Sequence, residues 1–175
     1  MRSCNTPPRR FRDPPRLTTP APADPRIASL LQSYHAADYR WEFNGRWHPL
    51  SIGANAPSLD DAFPQAATFG LLSAWNPYSV ERPEEVNRSE DARLLAQLEA
   101  TGLVFRAAFS AARNRTWREP SWIVMDMPVD AFDALARGHG QLATVHTRRG
   151  EPSRLRMYRA QPAGCPGFDC VDWVD

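Results

Sequence analysis

The spacing of apolar and polar residues along this chain predicts segments of helix that alternate with segments of strand. Ile27, Leu31 and Tyr34 recur at helical spacing and predict a first helix. Two alternating runs follow, separated by the dipeptide at positions 44–45. This Asn-Gly pair predicts a hairpin, because both of its residues tolerate the positive φ of a tight turn. Pro49 places the second run at a sheet edge, since proline has no N–H to donate to a neighbouring strand.

The unbroken apolar segment at 68–75 predicts a strand that is buried on both faces and therefore central in its sheet. A long helix is predicted over 83–101, because proline suits a first helical position and Gly102 suits the position after the last turn. Further elements are predicted at 58–63, 103–108, 121–126, 128–138, 142–147 and 153–159. This order predicts an α+β fold, a single domain with one mixed sheet of about six to seven strands and three to four helices.

Proline and arginine dominate the first 25 residues, which hold seven of the 17 prolines and five arginines. Few of these side chains are apolar enough to offset the entropy cost of ordering, so residues 1–25 are predicted to be a disordered arm. A basic arm can contact phosphates, but a passive extension is the favoured interpretation. Residues 26–160 are predicted to form the globular α+β domain and residues 161–175 an irregular C-terminal tail.

Composition narrows the classes of function. The net charge of +1 gives no whole-molecule field that points to nucleic acid or a membrane. All 21 Lys or Arg residues are arginine, which excludes a Schiff-base lysine mechanism. Because the chain has no lysine, an arginine at a given position is no evidence that arginine was selected there over lysine to bind an anion. No apolar run approaches the roughly 18 residues of a membrane span, and no secretory signal is recognisable. We therefore expect a cytoplasmic protein with no membrane partner.

The signals for metal or cofactor binding are weak. Four residues separate Cys165 and Cys170, which fits a loop disulfide or two ordinary thiols better than a zinc site. The four histidines have no paired spacing, and they stand at positions 35, 48, 139 and 146. The chain has no glycine-rich phosphate loop and none of the common hydrolase, metalloprotease or kinase motifs. No metal and no cofactor are predicted.

The long predicted helix carries a polar pair on its buried side. Leu94 and Leu98 define an apolar stripe that passes through Asp91 and Asn87 when it is followed back by three and four residues. A buried amide or carboxylate needs hydrogen-bond partners. The nearest ones follow the apolar strand, so we expect one polar cluster with Arg88 beside it, formed by Asn76, Ser79, Asn87 and Asp91.

Two interpretations of this cluster compete. In the slightly favoured structural interpretation, its side chains satisfy the backbone of the loop and fix the angle between strand and helix. In the functional interpretation, the loop and the helix N-terminus bind an anion or another polar ligand, with Arg88 supplying positive charge.

Other candidates lie before and after the next predicted elements. Trp117 stands among arginines and suits stacking on a flat ligand, although packing at the edge of the core is favoured. Glu119 is the one plausible general acid or base in a structured loop and is the catalytic candidate. His139 and Gln141 follow a glycine helix stop and have positions from which they could face a ligand. Arginines 148, 149, 154, 156 and 159 are interpreted as a solvated basic edge.

Four motifs in order resemble a known family: AWNPxS at 74–79, NR at 87–88, WxEPS at 117–121 and GQ at 140–141. With them, the chain from about residue 31 to about residue 158 resembles a family of small bacterial proteins catalogued as domain of unknown function 3293. The resemblance implies a bacterial, cytoplasmic protein and brings no activity, cofactor or catalytic residue. The chain departs from the family pattern at Val86, Asp91 and His139, where the family usually has Glu, Asn and Phe.

Three functional hypotheses follow. The leading one is a non-catalytic or regulatory domain that binds a small polar ligand or a protein partner at a rim formed by Asn76, Asn87, Arg88 and Glu119. The enzyme alternative uses Glu119 as acid or base and Arg88 as an anion clamp. The third, a nucleic-acid accessory protein, depends on the arginine-rich arm and the final strand pair.

Overall fold

The computed structural model describes residues 25–114, 116–165 and 167–174. Its helices are α1 (Ile27–Ala36), α2 (Pro57–Ala62), α3 (Glu84–Thr101) and α4 (Val129–Gly138). Its strands are β1 (Asp38–Phe43), β2 (Arg46–Leu50), β3 (Thr68–Leu72), β4 (Phe105–Ala111), β5 (Arg118–Met125), β6 (Ala143–Arg148), β7 (Arg154–Met157) and β8 (Val171–Trp173). The predicted arm, apart from Pro25, lies outside the described residues.

All eight strands belong to one sheet in the order β2-β1-β4-β5-β3-β6-β7-β8. Neighbouring strands are antiparallel except β7 and β8, which are parallel, so the sheet is mixed. The α+β class is therefore confirmed, with four helices and one strand beyond the predicted range.

Strand β3 is central, as its apolar sequence predicted, and it pairs with β5 on one side and β6 on the other. Phe69 and Leu71 enter the core on one face of the sheet, and Leu72 enters it on the opposite face. Gly70 lets α4 approach closely, since a Cβ at this position would lie 2.4 Å from Cε2 of Phe132. The loop after β3 therefore starts from a rigid, fully packed strand.

The predicted hairpin and edge strand are both confirmed. Asn44 and Gly45 have φ of 51° and 75° and connect β1 to β2. Strand β2, which contains Pro49, is the outermost strand on its side of the sheet.

Helix α1 docks near the opposite end of the sheet. Its Ile27 and Leu31 pack with Leu155 and Met157 of β7. This docking brings Tyr34 to the loop that follows β3, where its hydroxyl meets a side chain of that loop.

The C-terminal segment differs from its prediction. Residues 161–175 were expected to be irregular, but Val171–Trp173 form β8 and pair with β7. Val171 and Trp173 also pack against the α1 cluster, so this strand depends on tertiary contacts that local sequence patterns do not encode.

Three of the five arginines that were predicted to form a solvated edge differ from that prediction, whereas Arg148 and Arg159 are exposed. Arg156 is largely buried and contacts Asp133 of α4 at 2.6 Å, and Arg154 contacts Asp172 of β8 at 2.8 Å. Arg149 donates to the carbonyl oxygen of Ala66 at 2.7 Å. These guanidinium groups therefore hold neighbouring segments together. The prediction of an edge fails because β8 pairs with β7, so that β7 is not an edge strand.

No helix in the described ranges has the length and apolar character that a membrane crossing requires.

Candidate functional site

The loop after β3 has an unusual backbone. Asn76, Tyr78 and Ser79 have φ of 45°, 57° and 51°, in the left-handed region that favours glycine. Each such residue costs about 1–2 kcal/mol, so the surrounding structure must hold the loop in place. Strain of this kind is concentrated at binding and catalytic sites in many proteins.

Residues after α4 hold this loop from one side. The backbone N–H of Tyr78 donates to the carbonyl oxygen of Gly140 at 2.8 Å, and Nε2 of Gln141 donates to the carbonyl oxygen of Trp75 at 3.1 Å. Gly140 has φ of 66°, and a Cβ there would lie 2.7 Å from Cβ of Pro77. The glycine is therefore needed both for its backbone conformation and for the close approach of the loop.

Helix α3 holds the loop from the other side through two asparagines. Oδ1 of Asn87 accepts from the backbone N–H of Asn76 at 2.9 Å, and Nδ2 of Asn87 donates to Oδ1 of Asn76 at 2.8 Å. The backbone N–H of Arg82 also donates to Oδ1 of Asn76 at 3.0 Å. Asn87 is only 2% exposed, so its amide is sealed within the fold and satisfied there.

Glu119 extends this network to the surface of a cavity. Its Oε1 accepts from Nδ2 of Asn76 and from Nε1 of Trp117, both at 2.9 Å. Burial raises the pKa of the Glu119 carboxyl, and these two hydrogen bonds oppose the shift without cancelling it. Within the described ranges no side chain or backbone group donates to the second oxygen, Oε2.

Two tyrosines from the N-terminal part of the domain face the same region. The Tyr34 hydroxyl makes a short hydrogen bond with Oγ of Ser79, and the Tyr39 hydroxyl donates to the carbonyl oxygen of Tyr34 at 2.8 Å. Burial raises the pKa of Tyr39, and the neighbouring Tyr34 and Glu119 add to the shift. Helix α1, strand β1 and the strained loop are thus linked through hydroxyl groups.

These groups enclose a cavity of about 290 Å³ next to a smaller one of about 50 Å³. The larger cavity is lined by Leu30, Ser33, Tyr34, Ala37, Tyr39, Ser79, Ser110, Ala111, Ala112, Trp117 and Glu119. The two cavities share the lining residues Tyr34, Tyr39, Ser79, Ser110 and Glu119. The larger volume is close to the lower end, about 300 Å³, of the range of small-molecule sites.

The structure divides the predicted site residues into two groups. Asn76, Ser79, Glu119 and Gln141 line one or both cavities, and Trp117 lines the larger one.

The others do not line either cavity. Asn87 is sealed behind Asn76, and Arg88 is exposed on α3, where it pairs with Glu84 at 2.7 Å. Asp91 was expected in the polar cluster, but its Oδ1 accepts from Nε1 of Trp122 at 3.1 Å.

His139 also lies away from the cavities, in a separate contact between α3 and the end of α4. Its Nε2 lies 2.7 Å from Oε1 of Gln97, and its Nδ1 lies 3.2 Å from Nη2 of Arg93. Burial lowers the pKa of His139, and the nearby arginine lowers it further. This histidine connects the two helices and lines neither cavity.

Tyr34 and Tyr39 are among the cavity residues that the sequence did not suggest as site residues. Tyr34 falls on the apolar stripe of α1 and Tyr39 in an alternating strand, and both patterns are typical of core residues. Their hydroxyl groups were the one available signal, because a buried tyrosine hydroxyl requires a partner.

The described residues contain no group of three or more His, Cys, Asp and Glu side chains placed to hold a metal ion. Cys165 and Cys170 are both free thiols, which resolves the two alternatives in favour of ordinary cysteines.

Comparison with known proteins gives one match. A search of curated proteins and a search of solved structures each found none. A family model described as "Protein of unknown function (DUF3293)" matches residues 72–144, from the end of β3 into β6. This stretch contains Asn76, Asn87, Trp117, Glu119 and Gln141, so the matched segment supplies the loop network and the carboxylate. Over residues 72–144 the chain therefore resembles the DUF3293 family of proteins of unknown function.

Proposed function

We propose that this protein is a non-catalytic binding domain that holds a small organic molecule in the cavity at Glu119. The observation that carries the proposal is the carboxylate itself. Glu119 is held through Oε1 by Asn76 and Trp117, while its Oε2 has no donor from the described residues and the side chain lines the cavity. A fixed polar group at the end of a partly apolar cavity is the usual composition of a ligand site.

The rigidity of the surroundings supports a binding role. The loop at residues 76–79 keeps three non-glycine residues at positive φ, and separate hydrogen bonds from α1, α3 and Gly140 hold it. A site that is already assembled loses little conformational entropy when a ligand binds. The hydrogen bonds that hold this strained loop therefore also fix Asn76 and Ser79 near Glu119.

The proposed site keeps two of the four residues of the predicted rim, Asn76 and Glu119. Asn87 supports the site from behind, and Arg88 pairs with Glu84 on the outer surface. The concave shape favours a small molecule over a protein partner, since protein interfaces are broad surfaces.

A cavity-filling variant tests the proposal. Ala112 lines the cavity, so Ala112→Phe would fill part of it, whereas Val104→Phe adds the same ring at a position that is 48% exposed and does not line it. Thermal-shift screening with a library of small amines, alcohols, amides and acids should give compounds that stabilise the wild type and Val104→Phe but not Ala112→Phe. The proposal fails if no compound stabilises the wild type, or if all of them stabilise Ala112→Phe equally.

A second candidate function is general acid–base catalysis by Glu119. The supporting observation is that burial raises the pKa of this carboxyl toward the neutral range in which an acid or base works best. Arg88 does not line the cavity, so the anion clamp of this hypothesis has no support in the geometry. If a compound found in the screen is also turned over, Glu119→Gln should abolish turnover. A variant that still turns the compound over would exclude the acid–base role.

A further inference from the structure

We propose that the ligand of the Glu119 cavity is a small organic cation, an amine or amidine carried on an apolar body. The inference rests on the proposed binding function and names the chemical class of the molecule bound. Three features carry it: the charge of the cavity lining, the unused carboxylate oxygen and the aromatic walls.

The described residues give the cavity lining one formal charge, and it is negative. Among the residues that line the two cavities in the described chain, Glu119 is the one charged side chain. Two arginines near lining residues in the sequence donate to carbonyl oxygens of the protein: Arg26 to that of Tyr78, and Arg113 to that of Ala36. An anionic ligand would therefore meet a carboxylate without a compensating basic group from the described lining residues.

The hydrogen bonds to Glu119 leave room for a charged donor. Both protein donors, Nδ2 of Asn76 and Nε1 of Trp117, are neutral, and both bind Oε1. A partly buried carboxylate without a cation carries an uncompensated desolvation cost. An ammonium or amidinium group at Oε2 would supply both the missing charge and the missing hydrogen bonds.

The walls of the cavity suit the rest of such a molecule. Tyr34, Tyr39 and Trp117 line the same cavity as the carboxylate, and aromatic rings attract cations. Leu30, Ala37, Ala111 and Ala112 form the apolar part of the lining. A compact aryl or alkyl group fits this part, since the volume of about 290 Å³ is small for a ligand site.

Pairs of probes that differ in charge but scarcely in shape test the inference. Isothermal titration calorimetry would compare benzylamine with benzyl alcohol, and benzamidine with benzamide, with benzoate as the anionic probe. We expect each cation to bind the wild type at least about tenfold more tightly than its neutral partner, and benzoate not to bind. In Glu119→Gln the affinity for the cations should fall to that for the neutral probes. Ala112→Phe should bind neither the cations nor the neutral probes.

A second measurement on the wild type covers the case in which Glu119→Gln does not fold. Among the described residues, Tyr34, Tyr39 and Glu119 are the titratable groups that line the cavity, and burial raises the pKa of both Tyr39 and Glu119. As the pH rises above 4.5, the ordinary value for a glutamate, Glu119 is therefore the first of these groups to ionise. The affinity for benzylamine should rise with pH as Glu119 ionises, and the affinity for benzyl alcohol should stay constant.

The outcomes separate this inference from the proposed function. If neutral probes or benzoate bind as tightly as the cations and Ala112→Phe abolishes that binding, the cavity is a ligand site and the cationic class is wrong. The class is equally wrong if the cations fail to bind while other compounds from the screen occupy the cavity. If nothing binds in the cavity, both proposals are wrong.

Discussion

Asn76 and Asn87 are joined by a reciprocal pair of hydrogen bonds, one from the backbone N–H of Asn76 to Oδ1 of Asn87 and one from Nδ2 of Asn87 to Oδ1 of Asn76. The pair connects the loop after the central strand to the longest helix. It also fixes the Asn76 amide so that its Nδ2 points at Glu119. The buried amide of Asn87 therefore orients the carboxylate through Asn76 without lining the cavity.

We expect Asn87→Ala to destabilise the fold by about 2–3 kcal/mol, because it leaves buried groups of Asn76 and Arg82 without partners. Arg88→Ala is the matched control on the same helix. Its ion pair with Glu84 is exposed on both sides, so the loss should be within about 0.5 kcal/mol. Chemical denaturation of both variants measures the difference. Equal losses would contradict the structural role given to Asn87.

We expect Glu119→Gln to become more stable relative to the wild type as pH rises. Burial raises the pKa of this carboxyl in the folded state above its ordinary value of 4.5. Between these two values the unfolded chain releases its proton while the folded protein retains it, so ionisation favours unfolding. Glutamine can still accept the hydrogen bonds from Asn76 and Trp117 but cannot ionise.

Urea denaturation of both proteins between pH 4 and pH 8 measures this effect. The difference in free energy of unfolding should be smallest at the acid end, grow in favour of the variant above about pH 4.5, and level off once Glu119 is ionised. A difference that does not change with pH would show that the carboxyl is not desolvated.

Gly140, which supports the strained loop, can be compared with a second glycine of similar backbone conformation, Gly102. Gly140 and Gly102 have similar φ, 66° and 69°, but a Cβ at Gly140 would lie 2.7 Å from Pro77 while a Cβ at Gly102 would meet nothing within 4 Å. Gly102→Ala should cost about 1–2 kcal/mol for its backbone conformation alone. Gly140→Ala should cost a further 1–3 kcal/mol or so because the loop must move.

Thermal denaturation ranks the two alanine variants. Gly140→Ala should also weaken binding of any compound that stabilises the wild type, because the loop carries Asn76 and Ser79. Similar melting temperatures for the two variants would mean that the contact between Gly140 and Pro77 does not constrain the loop.

The buried ion pair between Asp133 of α4 and Arg156 of β7 gives a further prediction. Asp133 is 4% exposed and accepts from Arg156 and from the Tyr158 hydroxyl. Asp133→Asn leaves the guanidinium of Arg156 without its closest charge, and we expect a loss of about 3–5 kcal/mol. Asp172→Asn, at a more exposed pair with Arg154, should cost about 1 kcal/mol or less. Comparable losses would contradict the difference in burial.

Periodicity predicted most of the fold, because helices and strands bury repeating faces. It placed β3 at the centre of the sheet and indicated that Asn76 and Asn87 meet. It failed for Arg88, since neighbouring positions on a helix point in different directions and Arg88 faces solvent next to a buried Asn87.

The cavity could not be predicted, because it arises from how separate segments pack. Tyr34 and Tyr39 have the sequence pattern of ordinary core residues. The docking of α1 brings Tyr34 to the cavity, and the pairing of β1 with β4 brings Tyr39 there. Strand β8 was missed for a related reason: three residues form a strand only because β7 is available for pairing.

The family match covers residues 72–144, whereas Leu30, Tyr34 and Tyr39 precede it. The acidic end of the cavity and its two tyrosines thus belong to different parts of the chain. A protein that carries only the matched stretch would keep the carboxylate and the strained loop but would have no α1 to close over them. Under the proposed binding function, selectivity among ligands would change through the N-terminal helix while the carboxylate stays the same.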